Sequence, residues 1–200
     1  MSILSQLEEM QWKQLRHDEF YHKDIWLLTV QQRITHMVLH LSKYSSKLMI
    51  AALEENKSLL QKTTIDALII VFSSANIFNK LLCDIALKDS DEKANNIDEL
   101  ARALLEQESF KLHSPSISLS AKVLDKTGRM CKVVESLDHL ESVSFRDEII
   151  DILSSLFRDL LALSRSSDIE DIAALIGDRL FSVEQKNPYF KRLGNYKIGY

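Results

Sequence analysis

The sequence predicts an all-α protein on three observations. Glycine and proline are scarce, since the 200 residues include four Gly and two Pro, so few positions interrupt a helix. Apolar residues recur at intervals of three and four along most of the chain. Hydrophobic residues make up 46% and charged residues 27% of the chain, which is the balance of a globular protein with a packed core. We therefore expect a helical bundle of antiparallel hairpins.

Apolar periodicity places three helices in the first half. In the first of them, apolar residues recur at helical spacing at Ile3, Leu4, Leu7, Met10 and Leu15. The third is expected to begin at Thr63 or Thr64, because threonine caps helix N-termini well. The polar stretch Lys88–Asn96 is expected to be a linker. The helices expected in this half cover 3–21, 24–53 and 63–87.

Four further helices are expected after the linker. Pro115 is expected to end one segment, and Ser118 is expected to start the next. Asp168 is a good candidate for the cap of the last helix, because aspartate accepts hydrogen bonds from free N–H groups at helix starts. The expected ranges are 97–110, 119–140, 145–164 and 169–186.

Two stretches suggest that the chain contains two related halves. Ile65–Phe72 (IDALIIVF) can be aligned with Ile150–Phe157 (IDILSSLF), so that Ile-Asp-x-Leu recurs and the two phenylalanines coincide. Chance similarity between helices is the alternative. The resulting division is a first half at 1–90, a linker with a short helix at 91–116, a second half at 117–190 and a basic aromatic tail at 191–200.

Charge and composition argue against several classes of function. The formal net charge of −4 gives no general reason to expect binding to extended nucleic acid or to an anionic membrane. No apolar run approaches the roughly 18 residues that a membrane-spanning helix needs. Cys83 and Cys131 lie in apolar contexts, as expected of two buried free thiols in a reducing compartment. We expect a cytoplasmic protein with no membrane partner.

Three stretches of the second half carry a family resemblance. They are Lys122–Met130 (KVLDKTGRM), Arg146–Ser164 (RDEIIDILSSLFRDLLALS) and Asp171–Phe190. Together they resemble the MazG-type all-α nucleoside triphosphate pyrophosphohydrolases. In that family one helix carries Glu-Glu-x-x-Glu and the next carries Glu-x-x-Asp, and the acids hold magnesium. The resemblance implies cleavage of a nucleoside triphosphate to a monophosphate and pyrophosphate, and assembly as a homodimer.

The resemblance also implies a magnesium site in the second half. Glu148 and Asp151 match Glu-x-x-Asp, and Asp125 is the one acid left of the upstream motif. Lys126 and Arg129 stand where the family has further acids, and cationic groups repel a hard metal ion. We therefore expect weak magnesium binding, with these cations pairing with Glu148 or Asp151. The alternative is that the two acids form only the solvated face of an amphipathic helix.

The first half offers a second candidate set. His36 and His40 lie one helical turn apart, and with Asp66 they would form a set of two imidazoles and one carboxylate. Such a set suits a transition metal better than magnesium. Lys43 and Lys47 continue the same stripe, which would favour phosphate binding or a plain polar face.

Two functional hypotheses follow from these patterns. The first is a divergent MazG-like protein that binds nucleotides, with hydrolysis of nucleoside triphosphates as its conceivable reaction. The alternative is a non-catalytic helical module with a degenerate metal site, which binds a protein partner or dimerises. The tail interleaves basic and aromatic residues, which fits packing or docking and, less well, nucleotide contacts. Glu135 and Asp138 offer one more carboxylate pair near Glu148.

Overall fold

The computed structural model describes residues 2–139 and 141–186, and within these ranges it contains helices and no β-strand. This confirms the all-α prediction. A 3₁₀ turn covers Asp89–Lys93. The α-helices are α1 (Ile3–Tyr21), α2 (Lys23–Trp26), α3 (Val30–Leu53), α4 (Lys57–Ile77), α5 (Leu82–Ala86), α6 (Ile97–Glu106), α7 (Pro115–Asp138), α8 (Phe145–Ser166) and α9 (Ile172–Lys186).

The helix expected over 24–53 is divided in two. Thr29 interrupts it, because its side chain accepts a hydrogen bond from the backbone N–H of Gln32 at 3.3 Å. The Gln32 side chain in turn accepts one from the backbone N–H of Thr29 at 3.1 Å. This reciprocal capping box starts α3 six residues later than predicted and leaves α2 as a single turn.

The cap predicted at Thr63 or Thr64 is wrong. α4 begins at Lys57, where the side chain of Asn56 accepts a hydrogen bond from Leu59 N at 3.1 Å. Both threonines lie buried inside the helix. The same helix ends at Ile77 rather than continuing to 87, because Asn79 adopts a left-handed φ of 52° and turns the chain before α5.

Two ends in the second half also differ from the predictions. Pro115 begins α7 instead of ending a segment, because the first helical position needs no N–H donor, and Ser114 supplies the cap. Asp168 does not cap α9. It has a φ of 59° and lies in the turn that closes α8. Asp171 starts α9 instead, accepting a hydrogen bond from Ala174 N at 3.0 Å.

The helices of the two predicted halves pack on each other around one core. α3 packs against α4 and α7, and α8 packs against α4, α6 and α7. The hydrophobic cluster includes buried residues from Ile3 to Ile176. Phe72 and Phe157, the residues equated by the repeat alignment, meet edge to face with ring centroids 5.8 Å apart. The apolar face of α8 is thus buried within the chain.

Buried ion pairs connect α8 to other segments. The Arg158 guanidinium pairs with Asp91 of the 3₁₀ turn and donates to the Ala86 carbonyl at 2.9 Å. The Lys126 ammonium of α7 pairs with Asp159. These contacts fix the register of α8 against its neighbours at positions where apolar packing alone would permit sliding. None of the helices in the described ranges is both long and apolar enough to cross a lipid bilayer.

Candidate functional site: a histidine-lined cavity

A cavity of about 320 Å³ lies among α1, α2, α3, α4 and α9. α4 separates it from the core, because one face of this helix carries Phe72 inward and another carries Asp66, Ile70 and Ser73 to the cavity. The wall is mainly apolar, with a few polar groups that converge on the same space. Cavities of this size and composition are typical binding sites for small molecules.

Four of the six histidines in the sequence line this cavity. His17 lies near the end of α1, and His22 ends that helix with φ −127° and ψ 45°, outside the helical region. His36 and His40 lie one turn apart on α3, with ring centroids 4.6 Å apart. The end of α1 and the side of α3 therefore bring imidazoles to the same space from two directions.

Burial favours the uncharged form of two of these imidazoles, those of His17 and His40. Burial, reinforced by the nearby His22, lowers the pKa of His17 from 6.5 to about 4. Burial and then the charges of Lys43 and His36 lower the pKa of His40 to about 4. A neutral imidazole has a free lone pair, so it can accept a hydrogen bond or bind a metal ion.

Two carboxylates of the cavity wall are held by hydrogen bonds. Asp18 accepts from Gln14 Nε2 at 2.9 Å and from Ser73 Oγ at 2.6 Å. Burial raises the pKa of Asp18, although the Ser73 hydrogen bond opposes this effect. Asp66 accepts from Arg179 Nε at 2.5 Å and from its Nη2 at 3.3 Å, and this hydrogen bonding raises the pKa of Arg179. The Asp66 oxygens are thus already occupied by a guanidinium.

Buried polar atoms without a protein partner concentrate at this cavity. Among the described residues, five buried side-chain polar atoms lack a hydrogen bond, and four belong to cavity residues: Gln14 Oε1, both His17 nitrogens and Arg33 Nε. The carboxylate of Glu184 lies 3.8 Å from His17 Nε2, too far for a hydrogen bond. Because buried polar groups are normally paired, these atoms are available to form hydrogen bonds with a molecule in the cavity.

Three of the wall residues can offer ligand atoms to one ion. One potential donor atom each from His17, Asp18 and His22 lies within 4.8 Å of the others. Within the described part of the chain, no other group of three or more His, Cys, Asp or Glu side chains brings its potential ligand atoms this close together. Two imidazoles and a carboxylate form a donor set that suits transition metals.

The magnesium ligands suggested by the resemblance lie elsewhere. Asp125, Glu148 and Asp151 are all exposed on α7 and α8, and they do not form a group of this proximity within the described residues. The predicted pairing of Lys126 with Glu148 or Asp151 is wrong, because the Lys126 ammonium pairs with the buried Asp159 of α8. Magnesium binding at the three exposed acids stays a prediction.

The candidates of the first half fall in and around the cavity. His36, His40 and Asp66 all line it, as their register implied, but Asp66 is paired with Arg179 rather than turned to the histidines alone. Lys43 is exposed, with its ammonium 3.3 Å from His40 Nδ1, and Lys47 is also exposed. The tail at 191–200, which was predicted to pack or dock, lies outside the described residues, which end at 186.

Sequence reasoning missed the residues at the end of α1. The signal was available, because four of six histidines fall between positions 17 and 40, and Asp18 directly follows the first of them. Gln14, Ser73 and Arg33 gave no such signal, since their role depends on helices that meet only in the fold. Cys83, in contrast, is the buried free thiol that its context predicted, and burial raises its pKa to about 11. Cys131, also predicted to be buried, is free but only half-buried.

The fold and the site define the protein as an all-α bundle that encloses a histidine-lined cavity beside its core. Comparisons with known protein families, with curated proteins and with solved structures find no match to this chain.

Proposed function

We propose that the protein binds a small organic ligand in the histidine-lined cavity, and that this ligand is a nucleotide or a similar molecule with an aromatic body and an anionic group. The observation that carries the proposal is the concentration of unpartnered buried polar atoms in a cavity with an otherwise apolar wall. A ligand that offers both kinds of surface would satisfy these atoms and cover the apolar wall.

The polar side of the cavity suits an anion. The Arg33 guanidinium lies 5.1 Å from the centroid of the Trp26 ring, which holds its plane against an aromatic surface. Its buried Nε has no protein partner and can donate to a phosphate or carboxylate oxygen. Neutral imidazoles beside it offer further hydrogen bonds without adding a second fixed charge. The apolar side, with Ile69, Ile70 and Ile77, suits a ring system.

The resemblance supports a nucleotide over other ligands of this shape. In the alignment of the two halves, His36, His40 and Asp66 occupy the positions of the family's magnesium ligands, and all three line the cavity. The replacement of acids by histidines disfavours magnesium there. Cleavage of the α–β phosphate bond is the reaction that the resemblance implies, and the binding proposal stands without it.

We expect nucleotides to raise the melting temperature of the protein and Arg33→Gln to weaken their binding. Loss of a charged hydrogen bond costs about 1.5–3 kcal/mol, which corresponds to roughly a 10–100-fold higher Kd. The measurement is a thermal-shift screen of nucleoside mono-, di- and triphosphates, followed by calorimetric titration of the hits. Arg16→Gln, an exposed change on α1, is the matched control.

Two results would contradict this proposal. One is the absence of any stabilisation by nucleotides at millimolar concentration, with or without divalent metal ions. The other is an equal affinity for nucleotide in Arg33→Gln, Arg16→Gln and the unmodified protein, which would place binding outside the cavity. Pyrophosphate release, measured on the same nucleoside triphosphates, separates a hydrolase from a protein that only binds.

A second candidate function is self-association, favoured by an exposed apolar stripe on α3. Leu39, Ile50 and Leu53 share one side of the helix and are 63%, 48% and 59% exposed. The apolar face of α8 that motivated the dimer prediction is buried within the chain, so the stripe and the family resemblance now support it. Exposed apolar patches often mark contacts between proteins.

Sedimentation velocity tests this second candidate. We expect a homodimer at high micromolar concentration, and Leu39→Lys with Leu53→Lys is expected to shift it to the monomer because two charges would be buried at the interface. Trp12→Lys, which replaces a 59% exposed side chain on α1, is the control and should leave the dimer intact. A strict monomer of the unmodified protein would exclude self-association as its function.

A further inference from the structure

We infer that His17, Asp18 and His22 form a binding site for one divalent transition-metal ion at the wall of the cavity. The site lies at the end of α1, apart from the acids of α7 and α8 and apart from the histidines of α3. It does not depend on the nucleotide of the proposed function, because the ligand atoms and their supports all come from the protein.

The position of the three residues explains how neighbours in sequence converge. Residues 17 and 18 of a continuous helix point about 100° apart, so they cannot chelate an ion by helical spacing alone. The helix ends at His22, whose non-helical backbone returns its ring toward His17, with ring centroids 5.5 Å apart. The end of the helix therefore assembles the set.

The distances are compatible with coordination after a small adjustment. Ligand atoms around one ion lie about 3–4 Å apart when metal–ligand bonds measure about 2.0–2.2 Å. The donor atoms of the three side chains already lie within 4.8 Å of one another. Side-chain rotations that leave the helix backbone unchanged would close the remaining gap.

The supports of the carboxylate resemble the outer shell of known metal sites. One oxygen of Asp18 accepts from Gln14 Nε2 at 2.9 Å, and the other accepts from Ser73 Oγ at 2.6 Å. These bonds fix the plane of the carboxylate and leave a lone pair on each oxygen for an ion. Ser73 belongs to α4, so the site couples the end of α1 to the helix beside the core.

A second, independent observation points to a ligand here. His17 is 6% exposed, and neither of its nitrogens makes a hydrogen bond of good geometry within the protein, although the Leu180 backbone lies close enough to interact with the ring. Leaving a buried polar group poorly paired is unfavourable, so this imidazole is expected to have a partner that the protein itself does not supply. A metal ion at one nitrogen would satisfy it.

The donor set selects the kind of metal. Two imidazoles and one carboxylate suit Zn²⁺, Fe²⁺ or Co²⁺, whereas magnesium prefers oxygen ligands alone. Three protein ligands leave at least one coordination position open, as in catalytic rather than structural sites. Because all three residues line the cavity, an oxygen atom of a small molecule bound there would be able to complete the coordination.

The test is titration of tag-free, metal-free full-length protein with Co²⁺ and Zn²⁺. We expect one ion per chain, visible d–d absorption bands of bound Co²⁺, and their loss when Zn²⁺ but not millimolar Mg²⁺ is added. Asp18→Asn and His22→Gln are expected to raise the Kd by on the order of 100-fold or more, and Ser73→Ala by about 10–100-fold as an outer-shell change.

The controls are His36→Gln and His40→Gln, which remove imidazoles from the same cavity and should leave the Kd unchanged. Circular dichroism of each metal-free variant shows that it is folded, and His22→Gln, at a half-buried position, keeps the test available if Asp18→Asn unfolds. Absence of Co²⁺ bands, displacement by Mg²⁺, or equal losses in His36→Gln and His22→Gln would overturn the inference. If nucleotides raise the melting temperature of the metal-free protein while the metal titrations fail, the proposed function stands and the metal-site inference does not.

Discussion

Replacing Arg158 with methionine is expected to lower the free energy of unfolding by about 3–5 kcal/mol. The guanidinium is the ion-pair partner of Asp91, whose side chain is 1% exposed. Without the guanidinium, the buried Asp91 carboxylate keeps a hydrogen bond from Lys88 N at 2.9 Å but loses the positive charge that α8 supplied. The measurement is equilibrium unfolding in urea at pH 7, which should show a lower midpoint with an unchanged slope.

Arg165→Met provides the matched control for this change. Arg165 lies on the same helix, and its partner Glu170 is 3.9 Å away and 87% exposed, so its loss should cost no more than about 1 kcal/mol. The double variant Arg158→Met with Asp91→Asn should recover part of the lost stability, because the buried charge is gone. Equal effects of the two arginine changes would contradict the importance of burial for this ion pair.

The same ion pair predicts that the unmodified protein and Arg158→Met respond differently to acid. Burial alone would raise the pKa of Asp91, but the hydrogen bonds from Arg158 and Lys88 outweigh it and lower the pKa below 3.8. The unmodified protein therefore keeps this contribution above pH 3.8 and loses it as the pH falls through the folded pKa. In Arg158→Met the contributions of Lys88 remain but those of Arg158 are lost, so the Asp91 pKa moves upward and Asp91 stabilises the folded state less above pH 3.8. The difference in the free energy of unfolding between the unmodified protein and Arg158→Met should narrow below about pH 5.

Phe72→Ala is expected to cost about 3–5 kcal/mol, because it opens a cavity at the centre of the core. Phe72 is 1% exposed and packs edge to face on Phe157. Urea unfolding again measures the loss. Phe181→Ala on α9, at a side chain that is 61% exposed, is the control and should change stability by less than about 0.5 kcal/mol. A Phe72→Ala loss below about 1 kcal/mol would show that α4 and α8 pack differently.

The core and the cavity share one helix, which connects stability to function. α4 presents Phe72 to the core and the next residue, Ser73, to Asp18 across the cavity. Packing at Phe72 therefore fixes the position of the Ser73 hydroxyl. The same arrangement explains why α4 has little amphipathic pattern in its sequence, since both of its faces meet other parts of the protein.

Helix ends were the weakest part of the sequence interpretation. The periodic pattern between 57 and 87 is nearly continuous, and the break at Asn79 depends on a left-handed turn that the apolar pattern does not encode. Pro115 was placed at the wrong end because proline is compatible both with a helix start and with a helix stop. Local sequence offers two solutions at such points, and the packing of the neighbouring helices selects one.

The candidate site shows a similar division. Sequence spacing brought His36, His40 and Asp66 together as a set, and all three line the cavity. It could not show that Arg179, more than a hundred residues later, occupies the Asp66 carboxylate. It also could not show that Lys126 pairs with Asp159, because α7 and α8 had to be in register before that partner could be identified.

By itself, the sequence determined that this protein is helical, where most of the helices lie, and which residues are apolar enough to form a core. These properties follow from local preferences and from periodicity, which each segment carries without its neighbours. The tertiary structure alone decided which charges pair, which histidines lose water, and where a cavity remains. Burial and long-range contact set those outcomes, and they exist only once α1, α3, α4 and α9 meet.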